Sequence, residues 1–141
     1  MRISFVIAVM VHVSNQAAAL DWYQRAFPGS TRVTAAGHDF EYLQVDGAQG
    51  SMRIEIVKAD EKVSSGPSGT VVHWQVEKIA SSLAALEKLR TTLYRGPLNI
   101  ENGEAMCQVQ DPWGNCIGLR GALEVTTCHY KLQVVAGRPT K

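Results

Sequence analysis

The residues best equipped for chemistry in this chain are two histidines, one carboxylate and two arginines set in runs of apolar, β-branched residues: His12, His73, Glu55, Arg53 and Arg120. In an extended strand successive side chains point to opposite faces, so residues two apart share a face. On that rule Ala8, Met10 and His12 face one way together, as do Arg53, Glu55 and Val57, then Val71, His73 and Gln75, then Cys116, Gly118 and Arg120. A carboxylate set in so apolar a run, as Glu55 is between Ile54 and Ile56, is costly to leave unpaired. Glu55 therefore reads as a general base or a cation anchor for a ligand, or else as half of a structural ion pair with Arg53 or Arg120. His12 and His73 read as ligand contacts or proton carriers, or as ordinary sheet histidines. Arg120 suits an anionic ligand or a surface ion pair. With Met10, Tyr42, Arg53 and Gln75, these residues form the candidate ligand-binding set. His38 and His129, at a strand start and in the tail, have no assigned role.

Other chemistries are excluded by composition. The cysteines Cys107, Cys116 and Cys128 form no C-x-x-C pair, which removes a zinc ribbon and a thioredoxin motif. Reduced thiols and a cytoplasmic location are expected. Fourteen Lys+Arg face 13 Asp+Glu with no basic run, which argues against nucleic-acid and membrane-surface partners. No apolar run is long enough for a membrane-spanning helix. Met1-Arg2, the apolar stretch to Val13 and Ala17–Ala19 imitate a secretory signal. That stretch is β-branched and has a counterpart at Thr70–Val76, so it reads as a first strand.

The elements that position these residues come from an internal repeat. Val13 and Val76, Leu20 and Leu83, Ile54 and Ile117, and Ile56 and Leu119 are each 63 residues apart. Each unit begins with a β-branched run, Phe5–Val13 or Thr70–Val76. An amphipathic helix follows. In the first unit Asn15 is the N-cap, Pro28-Gly29 the stop, and Ala19, Tyr23, Ala26 and Phe27 the apolar stripe. In the second, Leu83, Leu86, Leu89 and Leu93 play that part. Three strands come next, over 31–35, 38–46 and 51–58, then over 91–95, 104–110 and 115–120. Asp46-Gly47 and Asp111-Pro112-Trp113-Gly114-Asn115 are the turns. The result is an α+β chain of two tandem βαβββ modules, about 3–60 and 70–121, joined by a polar linker at 61–69. An extension, 122–141, includes an alternating run at Leu123–Thr127 that suits an edge strand.

This pattern resembles the vicinal-oxygen-chelate superfamily, which includes glyoxalase, bleomycin resistance and extradiol dioxygenase proteins. The resemblance spans 3–121. It rests on Val13-Ser14-Asn15 leading into Leu20-Asp21-Trp22-Tyr23, and on Asp111-Pro112-Trp113-Gly114-Asn115 before the last strand. It implies two half-sheets curved into a cup, with helices on the outer face and a small-molecule cavity inside. Family enzymes hold a metal there with a His and a Glu from each module. Carried over position by position, those ligands fall on Ala8, Glu55, Val71 and Gly118. Three of the four cannot bind a divalent cation, and a lone carboxylate does not hold a catalytic metal. The expectation is therefore a protein with no metal and no cofactor, and not an ordinary metal-dependent glyoxalase or dioxygenase. A displaced site using His12, His73 and Glu55 stays open. So do a non-catalytic binder that sequesters a drug or metabolite, a lyase or isomerase using Glu55 with His12 or His73, and an interaction module with a vestigial pocket. The resemblance also implies a homodimer.

Overall fold

In a computed structural model the described residues are 1–2, 5–35, 37 and 40–123. The expected edge strand beyond Leu123, together with Cys128, His38 and His129, lies outside them. The chain divides into two compact units, Met1–Ser65 and Gly66–Lys141.

The first unit opens with strand β1 (Ala8–Val13), a β-branched hexapeptide. Helix α1 (Gln16–Ala26) starts where Asn15, in extended backbone, accepts the Ala18 N–H on its side chain at 3.1 Å. This satisfies one of the donors that every helix start leaves bare. The helix ends at Phe27, whose N–H donates to the Tyr23 carbonyl, and Pro28-Gly29 prevents continuation. Strands β2 (Thr31–Thr34), β3 (Glu41–Gly47) and β4 (Gly50–Lys58) follow. The sheet order is β1-β4-β3-β2, with β1 parallel to β4 and the other pairs antiparallel. Its core consists of Val13, Ala19, Leu20, Trp22, Tyr23, Leu43, Ile54 and Ile56. Trp22 and Tyr23 meet edge to face at 4.9 Å.

The second unit repeats the plan. Strand β5 (His73–Lys78) leads into helix α2 (Ile79–Glu87), then β6 (Thr92–Asn99), β7 (Glu104–Gln110) and β8 (Cys116–Ala122). The order is β5-β8-β7-β6, with β5 parallel to β8. Ile79 and Leu86 of α2 belong to the core, with Ala105, Cys107 and Val109 of β7 and Ile117 and Leu119 of β8.

Two expectations need correction. Helix α2 ends at Glu87, so Leu89 and Leu93 do not extend its stripe. The N–H groups of Leu89 and Thr91 both fold back to the Leu86 carbonyl, and Arg90 takes a left-handed backbone (φ +66°). Leu93 then lies in β6 and is 53% exposed. Strand β6 also continues past residue 95, through Gly96-Pro97, to Asn99. A proline is tolerated there because β6 is the last strand of its sheet. Elsewhere strand boundaries moved by one to three residues, and residues 5–7 precede β1.

The turn between β7 and β8 explains its sequence. Asp111, 5% exposed, accepts the N–H groups of Trp113 and Asn115, both at 2.8 Å, and the Asn115 amide at 3.2 Å. Asn115 in turn accepts the Gly66 N–H at 2.8 Å, fastening the linker to the turn. Gly114 has φ +85°, which favours glycine. Removing a buried carboxylate that serves several donors leaves them without a partner. Asp111→Ala is therefore expected to cost about 2–3 kcal/mol in denaturant unfolding, with Asp111→Asn losing less.

Candidate functional site

Each sheet carries its helix on one face, and the strand register decides which residues line the other. In the first unit Ala8 pairs with Arg53, Met10 with Glu55 and His12 with Val57. Arg53 also pairs with Gln44, two residues along β3 from Tyr42. The helix-free face therefore gathers Met10, His12, Tyr42, Arg53 and Glu55. The opposite parity puts Leu43, Ile54 and Ile56 in the core under α1.

Arg53 lies over the Tyr42 ring, its guanidinium carbon 4.2 Å from the centroid, and Phe40 is a further 6.0 Å from Tyr42. Glu55 is half-buried and makes no ion pair among the described residues. Within the first unit the pair with Arg53 does not form among the described residues, since the Arg53 guanidinium lies over Tyr42; in the second unit Arg120 approaches Glu101 at 4.0 Å. Met10 is 60% exposed. The His12 carbonyl accepts the Ser65 hydroxyl at 2.7 Å. Nearby, the N–H groups of Val63 and Lys62 hold Asp60 below the ordinary carboxylate value, and His12 adds a smaller pull in the same direction.

In the second unit His73 pairs with Gly118 and Gln75 with Arg120. Gly118 also pairs with Gln108, and Arg120 with Met106. The helix-free face holds His73, Gln75, Met106, Gln108, Gly118 and Arg120. Trp74 pairs with Leu119 on the helix side, as its sequence parity implies. The imidazole lies flat against the glycine: a Cβ on Gly118 would meet Cγ and Cδ2 of His73 at 2.7 Å. His73 Nδ1 is buried and has no hydrogen-bond partner. Burial, followed by the charge of Arg120, pushes the His73 pKa down, partly opposed by the Leu119 backbone. Cys116 is raised by burial and by Asp111. Cys107 is pushed up to about 11 by burial in the core, which makes it an inert thiol.

Met106 and Gln108 were not among the sequence candidates. Both were legible, since Ala105, Cys107 and Val109 alternate as core residues and leave the intervening positions to the other face. The metal implied by the resemblance does not fit these residues. Ala8 and Val71 offer no donor, and the imidazole of His73 closes the space over Gly118 where a carboxylate would need to stand. No group of three or more His, Cys, Asp and Glu side chains suited to a metal occurs among the described residues.

Two outcomes follow for the His73–Gly118 contact. Gly118→Ala should destabilise by about 1–3 kcal/mol through overpacking, and His73→Ala in the same chain should recover part of the loss; additive effects in the double-mutant cycle would contradict the contact. Because the folded pKa of His73 lies below the unfolded value of 6.5, the unfolded chain binds the proton more tightly. Stability should thus be fully present above pH 6.5 and decline as pH falls from there towards the folded value. His73→Gln should flatten that part of the stability–pH curve.

Comparison with known proteins agrees with this architecture. No family model and no curated protein matches the sequence. Solved structures do. TnmS3, an antibiotic-binding protein from Streptomyces, is 24% identical, with a TM-score of 0.64 over 86% of this chain and 98% of that one. A glyoxalase/bleomycin resistance protein/dioxygenase superfamily member from Sphaerobacter thermophilus is 20% identical, with a TM-score of 0.63 over the same shares. A glyoxalase family protein from Bacillus cereus is 18% identical, with a TM-score of 0.63 over 88% and 97%. The repeated βαβββ units, their strand order and these likenesses together give the chain the glyoxalase/bleomycin resistance protein/dioxygenase fold.

Proposed function

We propose that this protein binds a small organic molecule on the helix-free side of its sheets without a metal, sequestering a drug or metabolite. The observation that carries the reading is the His73–Gly118 contact: a position at which this fold's enzymes hold a chelating carboxylate has no side chain here, and an imidazole covers it. Each unit by itself offers a mixed apolar and polar face, Met10, Tyr42 and Arg53 in the first and Met106, Gln108 and His73 in the second, of the kind that orients organic ligands. The antibiotic-binding description of TnmS3 supports the same reading. Free Cys107 and Cys116 fit a reducing, cytoplasmic setting. No helix among the described residues is long and apolar enough to cross a membrane. A homodimer belongs to the proposal, supported by exposed Leu93 and Tyr94 on the outermost strand β6. Light scattering is expected to give twice the mass of one chain.

A second reading is supported by His73 Nδ1. An imidazole whose pKa is lowered and whose Nδ1 finds no partner among the described residues can take up a proton from a substrate, which suits isomerisation beside a carbonyl, with Glu55 or His12 as further candidates for acid–base work. Exchange of carbonyl-adjacent hydrogens with deuterated solvent, lost in His73→Gln, would favour it.

Thermal shift in the presence of a chelator, across antibiotics and metabolites, separates the readings. A ligand at 100 times its dissociation constant should stabilise by about 2.7 kcal/mol. Stabilisation that appears only when zinc or nickel is added would overturn the metal-free reading. An absence of any shift would favour a vestigial pocket.

A further inference from the structure

The helix-free face of the first unit carries chemistry that narrows the binding proposal to one kind of ligand. Arg53 holds its guanidinium carbon over the Tyr42 ring, 4.2 Å from the centroid, and the Phe40 ring lies 6.0 Å from that of Tyr42. Tyr42 is 7% exposed, so the arginine is its lid, while Arg53 itself is exposed. Among the described residues no carboxylate pairs with this guanidinium. An exposed planar cation held over a ring is pre-organised, and it can stack a further flat group and offer its N–H groups to acceptor oxygens. Two residues further along β4 the same face carries Glu55, also without an ion pair, about 7 Å away at the rise of a strand. Met10 pairs in register with Glu55 and supplies an exposed, polarisable apolar flank beside it.

We propose that this face takes a planar conjugated acid, with its ring or carboxylate stacked on Arg53 and a hydroxyl or amino group at its far end donating to Glu55. The proposal rests on the binding function above and narrows it to one ligand class. Both ends matter. Arg53 attracts the acidic group, Glu55 repels a second anion and accepts a donor, and the spacing fits a single ring between them. A cationic ligand finds the reverse: Glu55 attracts it, but Arg53, which covers Tyr42, is itself a cation.

The test uses isothermal titration calorimetry on the full chain with 4-hydroxybenzoate and its saturated counterpart, 4-hydroxycyclohexanecarboxylate. The two share charge and substituents and differ in flatness. The aromatic acid should bind at least tenfold more tightly. Arg53→Lys, which keeps the charge and removes the planar fork, should erase at least that margin while leaving the circular dichroism spectrum unchanged. Because Arg53 is exposed, this variant avoids disturbing the core. Glu55→Gln should weaken the hydroxylated acid and leave plain benzoate unchanged. Equal affinity for the flat and saturated acids, or an Arg53→Lys variant that binds like the parent, would overturn the proposal. If neither acid binds while some other compound stabilises the chain, this inference fails and the binding function stands. If no compound of any class binds, both fail.

Discussion

In each unit the first strand pairs in parallel with the last, and that pairing decides which residues share a face. Met10 aligns with Glu55 and His73 with Gly118, partners 45 residues apart in both cases (55 − 10 and 118 − 73). A parallel pair needs a long crossover, and α1 and α2 provide its helical part, each packed on one side of its sheet. A one-residue slip in either pair would send Ile54 and Ile56, or Ile117 and Leu119, from the core to solvent. Burying those residues thus fixes the other face without any interaction on that face having to do so.

The two faces have divided their chemistry. On the helix side the residues are apolar, and the one thiol there, Cys107, is raised out of reactivity by its surroundings. The helix-free side has kept charge and hydrogen-bonding capacity that packing among the described residues does not consume: Arg53 on an aromatic ring, Glu55 without an ion pair there, and His73 with a nitrogen that finds no partner among them. Buried polar atoms left without partners are uncommon in folded proteins and concentrate where a ligand or a reaction supplies the missing contact.

Much of this organisation was legible in the sequence, because it depends on period and punctuation. The 63-residue repeat, the Asn15 cap and the period-two parity all reappear in the coordinates, and Asp111 shows why that turn needs an aspartate: its carboxylate collects the turn's N–H groups. The end of α2 was not legible. Leu89 and Leu93 continue a helical spacing, and the chain leaves the helix through a left-handed Arg90, a conformation no residue type there announces. The site was legible as faces but not as contacts. Parity placed Arg53 beside Glu55, yet Arg53 lies on Tyr42, whose strand is joined to β4 only by sheet pairing. Nor could spacing show that His73 fills the room above Gly118.

That last contact separates this chain from a chelating member of its fold, and it has a direct spectroscopic readout. Imidazole NMR resonances of His73, followed during titration with nickel(II), report whether a metal ever reaches that corner. An imidazole seated over Gly118 should show a ring proton in contact with the Gly118 α-protons, a titration midpoint below the ordinary histidine value, and no selective broadening by nickel. Selective loss of the His73 signals at stoichiometric nickel, together with loss of the Gly118 contact, would contradict it.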